Sequence, residues 1–82
     1  MAKGVRERPV HLRVKLRAIR KSLGLTQSEM VGALRLGETE RSVISGFELG
    51  TKEPTLPVLL RYARLVGIST DDLIDDKAKL KL

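Results

Sequence analysis

The stretch from Gly24 to Pro54, GLTQSEMVGALRLGETERSVISGFELGTKEP, limits this chain to few folds, because it reads as two short helices in quick succession. Thr26 can cap the first while Glu29, three residues on, reaches back to the Thr26 amide, which makes a capping box. The second opens near Thr39 or Glu40 and stops at Gly50, the residue best able to take the left-handed conformation that closes a helix.

The rest of the chain is also helical in pattern. Leu12, Leu16, Ile19 and Leu23 form one face of a first helix over about residues 10–23, with Arg13, Lys15, Arg17 and Lys21 around the remainder. The second helix spans about 27–35 and buries Met30 and Leu34, with Val31 flanking. The third spans about 40–49, with Val43, Ile44 and Phe47 apolar. In the fourth, Thr55 is the cap, Pro57 sits in the first turn where its missing amide costs nothing, and Val58, Leu59, Tyr62, Ala63 and Val66 face inward before Gly67. Ser69 or Thr70 caps a short fifth helix through Leu73 and Ile74. The reading is a basic arm over residues 1–9, a single domain over 10–76 and a short tail over 77–82.

Two short helices joined by a tight connection match the helix-turn-helix, whose second helix enters the DNA major groove. In its ordered set of residues the chain resembles the Cro and phage-repressor type of helix-turn-helix domain, the XRE family. The set runs through Leu16, Ile19, Arg20, then Gly24-Leu25-Thr26-Gln27, Glu29-Met30, Ile44-Ser45, Phe47-Glu48, Gly50 and Pro54, and ends in Leu59-Leu60, Ala63, Leu65, Gly67 and Leu73. The resemblance covers about residues 12–75. It implies an all-α fold, a compact five-helix, lambda-repressor-like bundle containing the helix-turn-helix. It departs from the family in the turn, where RLGETER makes the connection about three residues longer than usual and places Glu38 and Glu40 in it.

Composition agrees with a small binding module. At 82 residues the chain buries only about 60 to 65% of its unfolded surface, so a partner surface helps it. It has no cysteine and one histidine, His11, which excludes a disulfide framework and a thiolate metal site. Asp71, Asp72, Asp75 and Asp76 lack the spacing of a calcium loop, and no nucleophile, Gly-rich phosphate loop or acid pair supports catalysis. We expect neither metal nor cofactor, and no enzyme. No apolar run approaches the roughly 20 residues of a membrane span. The N-terminal MAKGVRERPV lacks the apolar core of a signal peptide, so the expected location is cytoplasmic, with the nucleoid when bound to DNA.

Charge is concentrated at one end. Residues 1–21 hold Lys3, Arg6, Arg8, Arg13, Lys15, Arg17, Arg20 and Lys21 against Glu7 alone, whereas 22–66 balance at zero and 67–82 come to −1, for an overall +6. Such a pole attracts phosphate backbones without carrying sequence information.

The resemblance assigns roles residue by residue. Thr26 and Gln27, where the second helix begins, contact phosphate, and so does Lys52 in the loop after the third helix. Counting back from Gly50 puts the base-reading positions on Arg41, Ser42 and Gly46, with Ser45 as a further short donor. Arg41 suits guanine, since a guanidinium bonds O6 and N7 together. An ion pair with Glu38 or Glu40 is its alternative. Gly46 stands where the family has a long polar side chain, so either the backbone approaches DNA closely there or the position reads no base. Arg20 and Glu48 pair to brace the third helix.

The expected function is a sequence-specific double-stranded DNA-binding transcriptional regulator, a repressor acting as a homodimer. Leu56, Leu60, Ile68, Leu73 and Ile74 are the candidates for the dimer surface, and Lys79-Leu80-Lys81-Leu82 is either a strand added to a partner copy or a frayed end. Two alternatives stand beside it: an antitoxin whose protein partner is a toxin, and a nonspecific DNA-binding protein.

Overall fold

A computed structural model of the chain describes residues 9–82. Its elements are α1 (Leu12–Ser22), α2 (Gln27–Ala33), α3 (Arg41–Leu49), α4 (Leu56–Val66) and α5 (Thr70–Ile74), and no strand occurs among the described residues. The expected five helices are all present. The expected arm, Pro9 apart, lies outside the described residues.

The apolar stripe predicted for α1 is its core face: Leu12, Leu16 and Ile19 are buried, and Leu23 is half-buried at the helix end. They meet Met30, Val31 and Leu34 from α2 and its end, Ile44 and Phe47 from α3, and Val58, Leu59, Tyr62 and Ala63 from α4. α3 packs on both α2 and α1, and α1 also touches α4 and α5. The central position of α1 makes its stripe costly to disturb: truncating a buried Leu or Ile to Ala takes about 2–5 kcal/mol.

Helix ends depart from the sequence reading for identifiable reasons. α1 starts at Leu12 rather than Val10, and no side chain of its own caps it. The Asp76 carboxylate does so from the other end of the chain, Oδ2 accepting from the Val10 N–H at 2.9 Å and Oδ1 from the His11 N–H at 3.0 Å. A negative group there also meets the positive end of the helix. α2 ends two residues earlier than expected because Arg35 is left-handed, with φ 55°. Arg35 N–H donates to Gly32 and Leu36 N–H to Val31, which forms a Schellman closure with arginine in the usual glycine place. Arg61 of α4 donates to the next carbonyls along the chain, Leu34 O at 3.2 Å and Arg35 O at 3.4 Å. Thr55 stands at the N-cap of α4 without a side-chain bond, whereas Ser69 caps α5 by accepting from the Asp72 N–H.

Two residues sit elsewhere than expected. Lys15, expected on the outer part of α1, is buried: its Nζ donates to Asp72 O and Asp75 O, both at 2.8 Å, and so satisfies carbonyls at the end of α5. Leu73, expected on a surface for pairing, is fully buried in the core. Leu80 packs half-buried against that core, and residues 79–82 form no strand.

Candidate nucleic-acid interface

α2 and α3 are oriented by one polar cluster. Arg20 Nε donates to Glu48 Oε2 at 2.7 Å and Arg20 Nη2 to Glu48 Oε1 at 2.9 Å, the paired geometry in which guanidinium and carboxylate match best. Both side chains are largely withdrawn from water, and the bond to Glu48 holds the guanidinium charged against the opposing effect of burial. Arg20 Nη1 also donates to Leu25 O at 2.9 Å, which ties down the loop leading into α2. Gln27 Nε2 approaches Glu48 Oε1 at 3.4 Å, a long bond that turns this side chain toward the brace.

At the head of α2 the capping box is complete. Thr26 Oγ1 accepts from the Glu29 N–H at 3.1 Å, and Glu29 Oε1 accepts from the Thr26 N–H at 2.8 Å. The Thr26 hydroxyl therefore uses one of its two lone pairs in the cap and keeps its proton to donate.

α3 begins at Arg41 after Glu40, and its first turn faces water. Glu40, Arg41, Ser42 and Ser45 line one shallow concavity. Among the described residues Arg41 has no ion-pair partner, so the alternative pairing with Glu38 or Glu40 does not form. The longer turn is accommodated outside this face. Leu36 tucks against the core, Gly37 takes φ 69°, and Thr39 Oγ1 donates to Leu36 O.

A family model of the helix-turn-helix domain matches residues 14–79, most of the chain. The chain belongs to the helix-turn-helix domain family. Among solved structures, its fold is similar to the P22 c2 repressor protein, determined in complex with synthetic operator 9T. The TM-score is 0.68 and the identity 24%, over 80% of this chain and 96% of that one. No curated protein matches.

In this helix-turn-helix domain the expected site residues fall into two groups. Arg41, Ser42 and Ser45 share the exposed start of the second motif helix, and Thr26 and Gln27 the start of the first. Gly46 stands apart: it is buried, and a Cβ there would meet Lys52 Cγ at 2.8 Å and Cδ at 2.9 Å. The glycine makes room for the Lys52 stem, a reason its sequence position alone does not reveal. Sequence reasoning also passed over Leu49, on the outward stripe of Ser42 and Ser45 at helical spacing, which is exposed. The helix period itself was the signal that could have found it.

No helix among the described residues is long and apolar enough to cross a membrane.

Proposed function

We propose that this helix-turn-helix domain is a sequence-specific regulator of transcription that binds double-stranded DNA, acts as a repressor and places α3 in the major groove. The observation carrying this reading is the exposed first turn of α3, where Arg41, free of any ion pair among the described residues, stands beside Ser42 and Ser45 on a helix braced from behind by Arg20 and Glu48. Arg41 takes a guanine, the serines take neighbouring base edges or phosphates, and Thr26, Gln27 and Lys52 hold the backbone. Gln27 leaves its long bond to Glu48 for a phosphate at little cost, since a 3.4 Å contact is weak. The likeness in fold to the P22 c2 repressor, itself determined with an operator, is consistent with this assignment. Two copies pair through Leu56, Leu60 and Ile74, which remain exposed, and so read a two-fold repeated site.

Selection of bound duplexes from a random pool, at about 50 and 200 mM salt, separates base reading from backbone attraction. Recovery of one motif as two half-sites about one helical turn apart is the expected result. Unselected DNA that is lost at the higher salt would overturn specific regulation.

A further inference from the structure

At the C-terminal end of α3 two cationic stems rest on two glycines. The Lys52 stem lies over Gly46, and its backbone N–H donates to Gly46 O at 3.1 Å, so both the origin and the course of this side chain are fixed. The Arg13 stem, from the first turn of α1, crosses Gly50: a Cβ there would stand 3.0 Å from Arg13 Cδ. Arg13 and Lys52 line one groove, whose apolar wall includes Val10, Leu49 and Pro54. Glu53 shares the groove, so among the described residues the charged side chains that line it sum to one net positive charge. Arg13 is exposed and, among the described residues, has no ion-pair partner.

We propose that Arg13 and Lys52 form a two-point clamp for a DNA phosphate, closing on the backbone at the end of α3 opposite to Arg41, with Leu49 against the adjoining sugar. The proposal rests on the DNA-binding reading above and adds to it a residue from α1 and a reason for Gly46. Two cations held in place by packing lose less freedom on binding than two free lysines would, and a phosphate with its sugar presents the matching pair of an anion and an apolar flank. The acceptor is a backbone group, so the clamp strengthens binding to every sequence alike.

The test is the salt dependence of duplex binding by the full chain, for the selected motif and for an unrelated duplex, with far-UV circular dichroism as a check on folding. Arg13→Gln is expected to weaken both duplexes by the same factor and to lower the slope of log affinity against log salt by about 1, while Arg13→Lys keeps the slope. Gly46→Ala, which displaces the Lys52 stem, is expected to lower the slope as Lys52→Ala does, and the double variant to lose no more than either alone. An unchanged slope in Arg13→Gln, or additive losses in the double variant, overturns the clamp. Absence of DNA binding by the unaltered protein removes instead the reading on which the clamp depends.

Discussion

Arg20 and Glu48, 28 positions apart in sequence, meet through two hydrogen bonds of 2.7 and 2.9 Å and join the scaffold helix α1 to α3. The Glu48 side chain is 5% exposed and that of Arg20 11%. A pair this far from water contributes mostly through what its breakage leaves behind.

Glu48→Ala should therefore be severe. It strands a guanidinium in the protein, and by analogy with broken buried pairs the loss is about 3 kcal/mol. In a domain of this size that lowers the melting temperature by more than about 10 °C. A thermal scan followed by circular dichroism checks it, and a loss below about 1 kcal/mol would reduce the pair to the worth of an exposed one.

Tyr62 packs edge-on against Phe47, with centroids 6.5 Å apart, and its hydroxyl is buried with no hydrogen-bond partner among the described residues. Tyr62→Phe keeps the ring and removes the unpaired group, so it should stabilise the protein by about 1 kcal/mol. Alkaline stability gives a second readout. Burial foremost, then the Glu48 charge, pushes the phenol pKa up, and Arg20 opposes them only in part. The neutral phenol is favoured in the fold, so its contribution is complete below the ordinary tyrosine value of about 10 and declines as pH rises beyond it. Denaturant melts of both proteins above pH 10 should show the steeper decline in the unaltered chain.

Asp76 gives the acid counterpart. The His11 N–H and then the Val10 N–H hold its carboxyl below the usual aspartate range. The ionised form is favoured in the fold, so its contribution is present above about pH 3.9 and is lost as pH falls through the lowered folded value. Asp76→Asn should flatten stability against pH in that range. At neutral pH it should also speed hydrogen exchange at the Val10 and His11 amides, and unchanged exchange there would falsify the cap.

Arg35 occupies a conformation that costs a side chain about 1–2 kcal/mol and glycine almost nothing. Its side chain is exposed and the carbonyl that Arg61 reaches is retained on substitution. Arg35→Gly should then stabilise the protein by roughly 0.5 kcal/mol once the greater freedom of glycine in the unfolded chain is subtracted. Equilibrium urea unfolding decides it, and destabilisation would mean that the arginine makes a contact the backbone argument omits.

Local rules read correctly at several places where both partners lie close together in sequence, though not at Thr55, which caps α4 without a side-chain bond. The Thr26–Glu29 box, the stop at Gly50 and the Leu12, Leu16, Ile19 stripe are such cases. The Arg20–Glu48 brace was legible at long range only because a family resemblance supplied the pairing. What escaped depends on partners that no local pattern names. Lys15 on a helix stripe looks solvated until Asp72 and Asp75 bring their carbonyls to it from the far end of the chain. Leu73 looks like a surface for a partner until α1 and α4 close over it. Gly46 looks like a defect in a reading helix until Lys52 folds back onto it.

The cap on α1 sets an order of events during synthesis. The ribosome delivers α1 first, but the carboxylate that closes its leading turn is 65 and 66 positions downstream of the amides it binds. A nascent chain of this protein therefore lacks this cap on its first helix until Asp76 has been made and has left the exit tunnel, so α1 is finished only after the four helices that follow it.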